Sequence, residues 1–454
     1  MIQRKALDYL RKWKEAARRK PLVLRGARQV GKTTLVHEFS KEYDIFLKLN
    51  MEREQDRLVF EKYDDVNEII REIFVINNQQ IRNASTLLFI DEIQYSKRAI
   101  AMLRYFYEEA NHIHVITAGS LLETIMDLRQ ISFPVGRVQY LAVRPCSFYE
   151  FLDGIGENFD LEVIQNRKVG VIHQRIIKHF RDYALVGGMP DAIVQFAESK
   201  DILSLTNIFV SLINSYKDDV EKYTKKDSLI KIIRAILDVG WTSAGSIINF
   251  EKFGNIPYRS REISEAFETI QKAMLLELIY PVSETRMPLM PNFRKQPKLV
   301  WLDTGIVNYS AGIYKEVFSV QDIQDVWRGR IAEHIVAQEL LALSDNLLTR
   351  RVFWKRDKKG SEAEVDFVYS FDGMAIPIEV KSGHNSKLKS LHLFMEECPH
   401  NIAVRVWSQP FSIDKVQTPT GKEFDLVNLP FYYVGVLDSV LRDLNPTFTI
   451  EHTK

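Results

Sequence analysis

Pro21-Leu22-Val23-Leu24-Arg25-Gly26-Ala27-Arg28-Gln29-Val30-Gly31-Lys32-Thr33-Thr34 reads as strand, loop and helix in immediate succession. The apolar run Leu22–Arg25 ends at Gly26, and Gly31-Lys32-Thr33 opens a helical pattern, so the spacing is that of a G-x-x-x-x-G-K-[ST] phosphate loop. The residue types follow from the chemistry. Over Gly26, Ala27, Arg28, Gln29, Val30 and Gly31 the glycines let backbone N–H groups turn inward around phosphate oxygens. The helix that starts near Lys32 adds the positive end of its dipole. Lys32 is expected to reach the β- and γ-phosphates of ATP, Thr33 to hold Mg²⁺, and Thr34 to complete the binding stretch. The alternative, an ordinary Gly-rich turn, leaves the Gly-Lys-Thr sequence unexplained.

A second run, Ser85-Thr86-Leu87-Leu88-Phe89-Ile90-Asp91-Glu92, is continuously apolar and ends in two carboxylates. Such a run suits a strand buried on both faces of a parallel sheet, whose carboxyl end is where ligands sit. Asp91 is expected to orient the Mg²⁺ shell, and Glu92 to polarise the attacking water. Around these two segments strands and helices alternate: strands at Ile45–Leu49, Thr86–Ile90 and His114–Thr117, helices at Thr33–Glu42, Val66–Asn77 and Ala99–Ala110. That alternation predicts an α/β fold with a parallel sheet wrapped by helices. After the last strand, Ser120 or Thr117 is a sensor candidate for the γ-phosphate, a helix-capping hydroxyl being the equal alternative. The loop Phe133-Pro134-Val135-Gly136-Arg137 carries a guanidinium that is either a surface charge or a finger for a neighbour's γ-phosphate.

At 454 residues the chain has room for two to four domains, and 46% apolar with 27% charged residues is an ordinary globular composition. A formal charge of +1 excludes neither nucleic-acid nor protein partners; any basic face is local. Cys146 and Cys398 lie far apart without metal-ligand spacing and read as reduced thiols of a cytoplasmic protein. No run approaches the roughly 20 apolar residues that span a bilayer, and the start shows no signal-peptide core, so no membrane association is expected.

Four regions are expected: a P-loop domain at 1–155, a helical linker or lid at 156–225, a winged helix-turn-helix at 226–312, and an α/β domain at 313–454. The third rests on helical patterns at Ser228–Val239, Ala244–Lys252 and Ser260–Leu275, with Ser260 as N-cap, and on strands Leu276–Val282 and Lys298–Leu302. Arg259, Arg261 and Lys272 on its third helix, with Arg286, Arg294, Lys295 and Lys298 on the wing, suit phosphate contacts. A docking or lid role for the same unit remains open. Between Val186 and Pro190, two glycines and a proline mark a hinge or a tight helix–helix contact.

The last region carries Glu333 near the start of an amphipathic helix, then a hairpin of Ala363–Tyr369 and Ile376–Lys381 around Asp372-Gly373. Glu379 and Lys381 lie two apart and share one face, while Asp366 on the paired strand can converge with them. Carboxylates that ligate Mg²⁺ or Mn²⁺, beside a lysine that activates water, suit phosphodiester hydrolysis. A solvent-facing strand pair is the alternative. Arg350, Arg351, Lys355, Arg356, Lys358 and Lys359, interleaved with Phe353 and Trp354, form either a basic track for a phosphate backbone or a solvated loop.

Together these segments resemble a prokaryotic family of AAA-type P-loop ATPases with a C-terminal domain of PD-(D/E)XK nuclease-like fold. The resemblance runs through Gly26–Thr34, Leu87–Glu92, Thr117–Ser120, Pro134–Arg137, Arg144–Leu152, Tyr183–Pro190, Lys298–Gly305 and Ile376–Gly383. It implies ATP hydrolysis, Arg137 as a finger acting across a homo-oligomer, and nuclease-like positions for Glu333, Asp366, Glu379 and Lys381. Ala118 departs from the Thr-Gly-Ser run usual in related sensor strands, which weakens the sensor assignment. Two functions follow: an ATP-fuelled DNA-processing enzyme, or a regulatory ATP switch whose C-terminal modules bind DNA or a protein.

Overall fold

The computed structural model describes residues 2–119, 132–312, 329–344, 350–356, 363–381 and 388–444. Its first sheet contains β1 (Leu22–Arg25), β2 (Ile45–Asn50), β3 (Thr86–Asp91), β4 (Ile113–Ala118) and β5 (Gln139–Ala142), all parallel, in the order β2-β3-β4-β1-β5. The continuous apolar runs have a direct cause. In β1, Leu22 and Leu24 enter one core while Val23 enters another; in β3, Leu87 and Phe89 part in the same way from Leu88 and Ile90. Helices cover both faces, so the inner strands β1 and β3 are buried on both sides, whereas the edge strand β2 alternates buried and half-buried residues. The helices are Lys32–Ser40, Val66–Ile76 and Lys97–Glu108, within two residues of expectation at each end, and Glu54–Lys62, whose weak apolar periodicity hid it.

Helices then fill the chain from Phe148 to Tyr223. The helix His173–Val186 stops at Gly187, and Pro190 opens the next one, Pro190–Ser199. This junction is a tight contact: a Cβ on Gly188 would lie 2.2 Å from the Cys146 carbonyl oxygen.

The unit expected to be a winged helix departs from the expectation in two places. Helices Asp227–Val239 and Ser260–Lys272 form, the latter capped by Arg259 rather than Ser260, with the Glu262 carboxylate accepting from the Arg259 N–H. The helix expected at Ala244–Lys252 does not. Gly245 sits at φ +72°, where a Cβ would press within 2.4 Å of the Arg330 carbonyl oxygen, and Ile247 bridges to Lys298 as a short antiparallel pair. Only 3₁₀ turns, Gly240–Ser243 and Phe250–Asn255, flank it.

The second departure concerns the wing. Strands β6 (Leu276–Val282) and β7 (Lys298–Trp301) pair antiparallel, but β6 also pairs in parallel with β8 (Val352–Lys355). The wing therefore continues into β9 (Glu364–Phe371), β10 (Met374–Val380), β11 (Ile402–Trp407), β12 (Ser412–Gln417) and β13 (Glu423–Pro430). One eight-stranded sheet results, in the order β12-β13-β11-β10-β9-β8-β6-β7. Within it, β9 and β10 form the expected hairpin around Asp372-Gly373, both at positive φ.

Candidate functional site

The phosphate loop leaves β1 at Gly26 and enters the helix through Gly31, whose φ of +88° requires a residue without a Cβ penalty. Gly26 packs so closely that a Cβ would lie 2.3 Å from the Val143 carbonyl oxygen. The Lys32 ammonium is buried and donates to the carbonyl oxygens of Gly26 and Ala27, at 2.9 and 2.8 Å. Burial pulls its pKa down to about 8, with Glu92 and Asp91 opposing the shift. The Thr33 hydroxyl lies 3.2 Å from an Asp91 oxygen, an all-oxygen pair suited to Mg²⁺. Glu92 follows in a left-handed conformation, held by the Gln94 amide, and burial raises its pKa. These groups fit a Mg²⁺–nucleotide in donor type: hydroxyl and carboxylate for the metal, and an ammonium satisfied only by neutral carbonyls for the phosphates.

Other expected residues are placed differently. Arg28 reaches out of the loop to the buried carboxylate of Asp219, at 2.9 Å. Arg137 is half-exposed, 2.6 Å from Glu108, on a loop whose Val135 is 93% exposed. Ser120 lies outside the described residues. Thr117 is fully buried in register with Ile90, and its hydroxyl has no hydrogen-bond partner among the described residues.

Arg4, which the sequence did not single out, pins the loop from behind. Its guanidinium donates to the Val30 carbonyl at 2.9 Å, the Arg144 carbonyl at 2.6 Å and the Glu150 carboxylate at 3.0 Å. Glu150 also accepts from the backbone N–H of Lys5 and Ser147, both at 2.8 Å. One residue further, the Phe148 N–H donates to the fully buried Glu339, which also lies 2.7 Å from the Tyr183 hydroxyl. Burial pushes the Glu339 pKa up to about 7. Gln338 joins Tyr183 to the Thr304 N–H, and Asp303 accepts from Gly188 and Ile306. Residues from 4–5, 144–150, 183–188, 303–306 and 338–339, five stretches far apart in sequence, thus meet in one polar network.

Glu339 sits on the helix Arg330–Ala342, whose first turn carries Glu333 into a second cluster. There Lys298, 2% exposed, places its ammonium 2.7 Å from Glu333, 3.3 Å from Glu364 and 3.8 Å from Asp366. Lys381 pairs with Glu379 at 2.7 Å, and the second Asp366 oxygen accepts from the Val380 N–H at 2.8 Å. Burial raises the pKa values of Glu333 and Glu379, and the nearby charge of Asp366 adds to both. Burial acts to lower that of Lys298, but Glu333, Asp366 and Glu364 outweigh it and the net shift is upward.

The fold therefore brings Glu333, Asp366, Glu379 and Lys381 together, with two members the sequence reading did not assign here, Lys298 and Glu364. Lys298 was expected on an exposed wing; β7 instead turns it inward. Its sequence signal was the apolar run it heads, which buries every residue of β7. The donor set suits a hard divalent cation. Four carboxylates face two lysines, and the second Glu379 oxygen is buried with no hydrogen-bond partner among the described residues. Glu333, Asp366 and Glu379 do not, however, bring one oxygen each within 4.8 Å; among the described residues the trio that does is Glu157, Asp160 and His179, where Arg175 already pairs with Asp160.

The basic track is also revised. Phe353 and Trp354 are fully buried, Arg351 is buried against Glu277, and Arg356 pairs with Glu397. Lys358 and Lys359 lie outside the described residues. Arg259, Arg261, Lys272, Arg286 and Arg294 remain at the surface. No helix among the described residues is long and apolar enough to cross a membrane.

Comparison with known proteins divides the chain into three. Residues 18–152 match the family model described as an AAA domain; 177–316 and 328–428 match two domains of unknown function, DUF8612 and DUF4143. Two uncharacterized proteins of Methanocaldococcus jannaschii are similar. MJ1637 is 24% identical over 371 residues, 74% of this chain and 72% of that protein; MJ1544 is 24% identical over 365 residues, 76% and 71%. Among solved structures, the Walker-type ATPase PABY2304 of Pyrococcus abyssi superposes with a TM-score of 0.40 at 15% identity, over 68% of this chain and 96% of that one. The Thermotoga maritima RuvB Holliday junction branch migration motor gives 0.29 at 14% identity, over 64% and 93%. The family match and the loop geometry coincide on the same segment: residues 18–152 form an AAA-type P-loop ATPase domain.

Proposed function

We propose that the protein is an ATP-binding and ATP-hydrolysing switch that couples its nucleotide state to DNA binding by the nuclease-like C-terminal region. Mg²⁺–ATP occupies the Gly26–Thr34 loop, with Thr33 and Asp91 at the metal and Lys32 at the β- and γ-phosphates. Glu92 acts on the attacking water. Arg137 completes the site of a neighbouring copy in a homo-oligomer; its exposed loop supports that role. The observation that carries the coupling is the helix Arg330–Ala342. Six residues apart, it holds Glu339, bonded to the segment that Arg4 ties to the phosphate loop, and Glu333, in the carboxylate cluster. A change at the loop therefore has a short, rigid route to that cluster. Fluorescence anisotropy with labelled duplex and single-stranded DNA tests it. A non-hydrolysable ATP analogue and ADP should give affinities that differ about tenfold, and Arg4→Ala should erase the difference. Equal affinities in the two nucleotide states of the wild type would end this reading.

A second reading, a divalent-metal-dependent nuclease, is favoured by the convergence of Glu333, Asp366, Glu379 and Lys381. Asp366 and the unpartnered Glu379 oxygen would hold Mg²⁺ or Mn²⁺. That ion supplies electrophilic activation of a phosphodiester, and Lys381 places a cation at the same face. Cleavage of linear, branched and single-stranded DNA, with and without ATP, decides between the two.

A further inference from the structure

We propose that Lys298 is a tethered counter-cation that competes with a divalent metal for the C-terminal carboxylates, so that metal enters only when its ammonium is displaced. The inference bears on the nuclease-like site and is independent of the ATPase reading.

The argument starts from charge. A lysine buried to 2% exposure carries a large desolvation cost unless carboxylates surround it, and Lys298 has three within 3.8 Å. Its ammonium also lies 5.2 and 5.6 Å from the rings of Phe353 and Phe367, so aromatic faces complete its cage. It is therefore a built part of the site. Two of its three partners, Glu333 and Asp366, belong to the set a metal would need. A cation bound there must take the same oxygens, and the positive charges repel. Glu333 and Asp366 are thus engaged by Lys298, and Glu379 by Lys381, so each of the three carboxylates already has an ammonium partner. What remains open is the second Glu379 oxygen with the facing Asp366, too few ligands to hold a hard cation tightly.

This assigns Lys298 as a positioning residue that sets metal affinity. Removing its charge should create affinity, whereas loss of a merely structural residue would lower it. Full-length protein without nucleotide is titrated with Mn²⁺ and free metal is read by electron paramagnetic resonance. Lys298→Met should bind Mn²⁺ at least tenfold more tightly than wild type, and the gain should vanish in the Lys298→Met/Asp366→Asn double variant. Lys298→Gln, whose amide still donates to Glu333, makes the same comparison where Lys298→Met folds poorly. The wild type supplies a second test: saturating Mn²⁺ should raise acylation of Lys298 by an amine reagent, read by peptide mass spectrometry. Equal or weaker Mn²⁺ binding in the variants, or unchanged Lys298 acylation, would overturn the proposal.

Discussion

The two clusters of this chain each bury a lysine beside carboxylates, yet the lysines are satisfied in opposite ways. Lys32 donates to two neutral carbonyls of its own loop, and its pKa is pulled down to about 8 by burial. Lys298 is held by three carboxylates, which raise its pKa against the burial that lowers it. The first keeps its charge in reserve for an incoming anion. The second has already spent its charge within the protein. Asking which charges are balanced internally separates a lysine held ready for a ligand from one already matched by the protein's own carboxylates, even where the residue types are alike.

Four measurements break or sharpen that contrast. The largest effect is expected at Glu92. Glu92→Gln should lower ATP turnover about a hundredfold and leave nucleotide affinity within threefold, because the carboxylate acts on water rather than on phosphate. Steady-state phosphate release and nucleotide titration separate the two; wild-type turnover would remove Glu92 from the mechanism. Next, Lys32→Ala should weaken ATP binding by about an order of magnitude or more through loss of a charge-assisted contact. Lys298→Met should leave it within twofold, and a comparable loss there would erase the distinction between the two lysines. A several-fold effect is expected from mixing inactive Lys32→Ala and Arg137→Ala proteins, since hybrid interfaces pair an intact loop with an intact finger. Turnover that stays at background in the mixture would place Arg137 outside any shared site.

The smallest effect concerns pH. ATP binding favours the Lys32 ammonium, so affinity should fall a few-fold as pH rises through about 8, where the free protein loses that proton. Lys32→Ala should show no such fall. A wild-type affinity flat from pH 7 to 9 would mean the ammonium is not held as described.

How much of this was readable in the sequence depends on whether a feature is local. The phosphate loop, the β3 carboxylates and the β9–β10 hairpin are each coded within a single short stretch of consecutive residues, and all three stand where expected. The missing helix at Ala244–Lys252 was legible as apolar periodicity, but the space at Gly245 belongs to Arg330, 85 positions away. Phe353 and Trp354 were read as part of a basic track because their neighbours are basic; β8 is instead buried on both faces, Phe353 in one core and Trp354 in another against Phe394 of the helix Lys389–Glu397. Lys298 was misread for the same reason. Its carboxylates arrive from positions 333, 364 and 366, and no window of sequence joins them.

The pairing of β6 with β8 has a consequence for how this polypeptide can be cut. A fragment beginning near residue 313 would start inside a sheet, leaving β8 as a raw edge with unpaired amide and carbonyl groups where Tyr280–Val282 had been. Such an edge recruits other chains, so the isolated fragment should aggregate. It would also lack Lys298, and four acidic side chains would face one another with a single ammonium left among them. The C-terminal piece is thus not a portable cassette: the lysine that quiets its acids and the strand that closes its sheet, Leu276–Val282, are both encoded upstream of where a reader of the sequence would have placed the scissors.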